Sequence, residues 1–151
     1  ATDANPSYVS NIRAEVLTDA SGNYAGWLTN YPALGSFTKG TDDPDGDGMN
    51  NSAEFAFGTS PVSGSSQAVT LSAGSGTIKL SYLQRKSGAT YTVKSLPDLT
   101  TPFDSGTTLT SPNLYFSADQ NNLPSSDYER YEATLSTGST KGFLRVRAVV
   151  P

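Results

Sequence analysis

The sequence predicts a mainly β fold, an antiparallel β-sandwich preceded by short helices and a single acidic loop. Two observations carry that prediction. From Gln67 onward apolar residues recur at every second position, the period of a strand with one face in a core. The 151-residue chain also holds 14 Gly and 9 Pro with only 16% charged residues, a composition suited to many short strands joined by turns rather than to a helical bundle.

Taken in chain order, the N-terminal stretch carries two patterns. Asn5-Pro6 can cap and start a helix with Val9, Ile12 and Val16 on one stripe, whereas Tyr8, Ser10, Ile12, Ala14 and Val16 alternate as one face of a strand. The helix reading is the favoured one. After a turn at Asp19 to Asn23, Tyr24, Trp27, Leu28 and Tyr31 fall at i, i+3, i+4 and i+7, a helical stripe ended by Pro32 and suited to a core. Further on, Asn51 to Glu54 has the spacing of a capping box that opens a second short helix, stopped by Gly58 and Pro61. Its Phe55 and Phe57 are expected to pack against the Trp27 stripe.

The strands follow. Val69 and Leu71; Ile78, Leu80 and Tyr82; Tyr91 and Val93; Tyr131, Ala133 and Leu135; and Leu144, Val146, Ala148 and Val150 each mark one face, with a further strand near Asn113 to Ser117. Clusters such as Ser72 to Gly76, Lys86 to Gly88 and Ser136 to Gly142 separate them as turns. The chain thus divides into 1–61, a segment of short helices and the acidic loop, and 66–151, the sandwich, together forming one compact unit.

The acidic loop, residues 43 to 54, reads Asp-Pro-Asp-Gly-Asp-Gly-Met-Asn-Asn-Ser-Ala-Glu. Calcium takes six to eight hard oxygens, and an EF-hand loop supplies them from positions 1, 3, 5, 7, 9 and 12 with glycine at 6. Those positions are Asp43, Asp45, Asp47, the Met49 carbonyl, Asn51 (through water) and a bidentate Glu54, around Gly48. The bland reading is a solvated Asp- and Gly-rich turn. Agreement of spacing, glycine and terminal Glu favours metal, so Ca2+ is the expected cofactor of a single EF-hand-like calcium loop. Asp42, Asp43, Asp45, Asp47 and Glu54 outweigh the entire net charge of −4, and a divalent cation would relieve their repulsion.

Composition excludes several function classes. With no His and no Cys, the chain lacks Ser-His-Asp and Cys-His nucleophiles, thiolate or imidazole metal sites, and disulfides. Ten scattered Lys and Arg in an acidic chain argue against a nucleic-acid footprint, and no apolar run approaches a membrane span. Asp98, Asp127, Glu129 and Glu132 could in principle serve a glycosidase pair, but they sit in polar patterns and read as solvated positions. The start at Ala1 rather than Met, with calcium plentiful outside cells, is what a secreted chain whose leader has been removed would show.

Several of these pieces together resemble one known arrangement. They are Trp27; residues 43–51; Glu54-Phe-Ala-Phe-Gly-Thr-Ser-Pro61; Thr90-Tyr-Thr-Val93; Ser95 with Asp98-Leu-Thr-Thr101; and Phe143-Leu-Arg-Val146. This set is similar to the C-terminal modules of large secreted bacterial surface proteins, in which a loop of the thrombospondin type 3 and dockerin kind precedes a small β-sandwich. The resemblance spans roughly Tyr24 to the C-terminus. It implies a non-catalytic, extracellular calcium-binding module that serves structure or assembly at a cell surface or in a fibre-like filament, with protein partners or self-assembly. The chain departs from the pattern in having Pro102-Phe103 where Trp is usual, and one loop where dockerins have two. The N-terminal segment, in its strand form, could add to an open sheet edge of a neighbouring subunit. The alternative is a carbohydrate-binding accessory module, since eight Tyr and one Trp could supply sugar-stacking faces, with Tyr128, Arg130 or Tyr115 outward.

Overall fold

The computed structural model describes residues 14–16, 22–65, 67–138 and 142–151. Two four-stranded sheets face each other. The first has the order β1 (Ala14–Val16), β8 (Phe143–Val149), β4 (Thr90–Leu96) and β5 (Thr107–Thr108). The second runs β2 (Val69–Gly74), β3 (Thr77–Arg85), β7 (Tyr128–Ser136) and β6 (Leu114–Phe116). All neighbours are antiparallel except β1, which lies parallel to β8 with Ala14 opposite Val146.

The expected alternation is what fills the interior. Ile78, Leu80 and Tyr82 of β3 and Ala133 of β7 meet Val93 of β4 and Leu144, Val146 and Ala148 of β8 in one buried cluster. The β2–β3 turn is narrower than its Ser- and Gly-rich sequence suggests. Strand pairing continues to Gly74, and Ser75 and Gly76, both at positive φ, close a two-residue hairpin. The two-residue β5 carries no alternation that sequence could reveal.

The N-terminal expectation needs correction. Ala14–Val16 is a strand, not part of a helix, and it pairs with β8 of its own chain. A sheet edge supplies partners for the backbone N–H and C=O groups, and that long-range gain outweighs local helix propensity. The rest of the proposed 5–16 helix lies outside the described residues.

Helices α1 (Gly22–Leu28) and α2 (Asn51–Phe57) pack together at one side of the sandwich. The stripe on α1 is core, as expected: Tyr24 and Trp27 are buried and their rings stack at 5.5 Å. Phe55 sits edge-on to both, at 5.5 and 5.7 Å. Phe57 does not join them. Two residues along a helix turn about 200°, so Phe57 points elsewhere and meets Tyr91 of β4 at 5.8 Å.

Every residue of α2 is buried, so its terminal carbonyls need partners inside the protein. Tyr128 of β7 donates its hydroxyl to the Phe55 carbonyl at 2.7 Å, and Tyr91 of β4 donates to the Ala56 carbonyl. One helix is thereby bonded to both sheets. The Glu54 carbonyl accepts from the N–H groups of Gly58 and Thr59, with Gly58 left-handed at φ 73°.

On the outer face of the first sheet, Lys94, Arg145 and Arg147 gather over the buried ring of Phe103, with Arg147 closest at 4.0 Å and also paired to Asp104. Phe103 is therefore buried beneath three cationic side chains.

Two substitutions test this bracing. Tyr128→Phe leaves the buried Phe55 carbonyl unpaired and should cost about 1–3 kcal/mol in denaturant unfolding. Gly58→Ala should cost about 1–3 kcal/mol, because a Cβ would come within 3.1 Å of Leu83, Pro124 and Tyr128 at a positive φ.

Candidate metal centre

The loop from Asp43 to Glu54 folds through its own carboxylates. Asp43 accepts the N–H groups of Gly46 and Gly48, Asp45 accepts from Asp47 at 3.3 Å, and Asp47 accepts from Met49 at 2.8 Å. The Asp45 and Asp47 bonds, each spanning two residues, form tight Asx turns, and Asp43 closes the wider bend by accepting from residues three and five further on. Gly46 and Gly48 take φ of 74° and 93°, which glycine adopts without strain.

These bonds use one oxygen each of Asp45 and Asp47, and the other, Oδ2, is buried without a partner. Carboxylate atoms of Asp43, Asp45 and Asp47 lie within 4.8 Å of one another. Asn51 is fully buried, and its Nδ2 donates to the Phe37 and Lys39 carbonyls, both at 3.0 Å. That fixes the amide so that Oδ1 is an acceptor with no donor. Met49 is half-buried against the core.

Glu54 is the most telling residue. It is 0% exposed, and neither Oε1 nor Oε2 has a hydrogen-bond partner. Burial first, then the charges of Asp45, Asp47 and Asp43, push its carboxyl up to about 8. A buried carboxylate among other carboxylates is costly unless it is protonated or paired with a cation. Glu54 does not close a capping box. The N-cap is Asn50, whose side chain accepts from Ala53 at 2.9 Å, so α2 starts one residue earlier than the sequence spacing suggests, and Glu54 is buried.

The donor set is therefore hard oxygen, mostly anionic, on a loop that bends around it, which fits Ca2+ better than a softer metal. Three further groups bear on the loop, and the ligand spacing marks none of them. Asp42 ties the loop ends: its carboxylate accepts from the Lys39 N–H and its carbonyl from the Asn51 N–H at 2.8 Å. Ser52, two residues before Glu54, has a buried, unpartnered Oγ. Tyr31 has its hydroxyl pKa raised by burial and then by Glu54. The Asp42 brace could be inferred from Lys39-Gly-Thr-Asp42 as a turn; nothing local signals Tyr31.

The acids outside the loop are dispersed. Asp98 accepts from Thr100 and Thr101, Glu132 meets Lys79 at 3.4 Å, and Glu129 accepts from Tyr131 at 3.3 Å. Tyr128 is not outward as the sugar-binding alternative requires; it is 3% exposed, because its hydroxyl is drawn inward to α2. Arg130 is half-buried and lies 3.5 Å from Asp119. No helix among the described residues is long and apolar enough to cross a membrane. Compared with known proteins, the chain matches no protein family, no curated protein and no solved structure.

Calcium at about a hundred times its dissociation constant should add about 2.7 kcal/mol of stability, read as a higher unfolding temperature that a chelator reverses. In ion-free protein Glu54→Gln should raise stability while abolishing the calcium effect, since it removes a buried charge along with a ligand. The pH dependence has a definite sign. A carboxyl held at about 8 in the folded state and 4.5 in the unfolded state gives the folded protein the extra proton between those values. Ion-free stability should consequently fall as pH rises from 4.5 to 8 and level off above it, a slope absent in Glu54→Gln.

Proposed function

We propose that the chain is a non-catalytic, calcium-stabilised structural module of an extracellular protein, working through protein contacts or self-assembly at a surface or in a fibre. The observation that carries the reading is the buried set of acceptors without donors at Asp45, Asp47, Asn51 and Glu54, which a divalent cation would satisfy. Because Glu54 sits on the helix that holds both sheets, the ion would stabilise the sandwich as a whole, in the role that disulfides fill in many secreted domains.

The assembly part of the reading draws on the sheet edges. β6 is a three-residue edge strand whose Phe116 is 54% exposed, and its backbone can accept another strand. A contact of that kind between copies, head to tail, does not close and builds filaments. Negative-stain microscopy and light scattering in calcium and in chelator test both parts. Filaments or defined oligomers that need calcium are expected. Monomers at every concentration would reject the assembly reading, and an unfolding temperature indifferent to chelator would reject the calcium reading.

A further inference from the structure

A second feature lies beyond the C-terminal end of α2. A cleft of about 580 Å³ opens between α1, the end of α2, the β3–β4 turn and the loop leading into β7. Its volume is in the range of small-ligand sites. Arg85 forms the floor. It is 8% exposed and its guanidinium lies between the rings of Phe55 at 4.2 Å and Tyr128 at 5.0 Å. Nε donates to the Ser87 carbonyl, which fixes the plane of the group.

At the mouth, Asp127 is 66% exposed and 3.7 Å from Arg85, too far for a good hydrogen bond. Its carboxylate accepts no hydrogen bond among the described residues. Asn30 and Ser125 are exposed on the rim, and Trp27 and Tyr31, 4.9 Å apart, form an aromatic wall. Arg85 and Asp127 are the charged groups of the lining, so the cleft is electrically balanced.

We infer that this cleft binds a neutral hexose unit of a polysaccharide. Planar polar side chains such as guanidinium, carboxylate and amide match the paired donors and acceptors of adjacent sugar hydroxyls. The half-buried ring of Tyr31 in the wall is the kind of aromatic surface on which the apolar C–H face of a sugar packs. A charged sugar is disfavoured, because Asp127 repels an acid and Arg85 a base. The inference goes beyond the structural role above. Its calcium dependence rests on the proposed ion site: Phe55 and the carbonyl that anchors Tyr128 belong to the helix that carries Glu54, so an ion there would set the floor and sugar affinity should depend on calcium.

The test is a two-dimensional amide NMR titration of the calcium-loaded chain with cellotetraose, maltotetraose and mannotetraose, beside tetragalacturonate. Calcium loading is verified first by the unfolding temperature, so failure of the ion site is seen before any sugar is added. The expected result is saturable shifts at Asn30, Ser125 and Asp127 and in the Trp27 indole N–H with at least one neutral sugar. Asp127→Ala and, separately, Asn30→Ala should weaken binding about tenfold in protein whose amide spectrum shows it still folded, and chelator should weaken it in the native chain. No shifts up to about 10 mM neutral sugar, shifts that map elsewhere, a preference for the galacturonate, or undiminished binding by both variants would each overturn the site. Binding unaltered by chelator would overturn its dependence on calcium.

Discussion

A seven-residue helix with no exposed side chain, Asn51–Phe57, imposes the constraint from which the rest follows. So short a helix is not stable alone, and burying it leaves backbone groups that must be paired. Asn50 and the left-handed Gly58 satisfy its two ends, and tyrosines from opposite sheets satisfy two carbonyls of the last turn. The same burial draws Glu54 into the interior with two oxygens unpaired. The acidic loop, the helix and the two sheets are thus one connected arrangement, with Glu54 at the joint between loop and helix.

That connection explains why polar residues lie so deep in a chain with an ordinary apolar core. Arg85 is buried because Phe55 and Tyr128, both held by the helix, cover its guanidinium. Its backbone N–H donates to the Tyr91 hydroxyl at 2.9 Å, which in turn donates to the helix, so three elements share one short relay. Shared buried hydrogen bonds of this sort are worth more than isolated ones, since losing one member strands the others.

Much of this was legible in the sequence, where the information is local. The loop could be read because its candidate ligands fall at fixed intervals within twelve consecutive residues, and the order of Asx turns in the structure follows that spacing. The strands between Val69 and Val149, the two-residue β5 excepted, could be read because alternation is a local pattern. What escaped depends on distance along the chain. Tyr128 and Phe55 are 73 residues apart and Tyr91 and Ala56 are 35 apart, and no local feature marks those hydroxyls as helix caps. The outward reading of Tyr128 failed for that reason. The parallel pairing of Ala14–Val16 is likewise a long-range outcome, since a three-residue stretch that fits two periods is decided by whichever edge is available.

The parallel placement of that first strand beside the last has a mechanical meaning. Tension applied through the chain before Ala14 and after Val149 would pull β1 and β8 in opposite directions along their common axis. Their hydrogen bonds would then be loaded side by side, in shear, and would have to give way together rather than peel one at a time. The three paired positions would thus act as one shear clamp at the junction of the two ends of the fold.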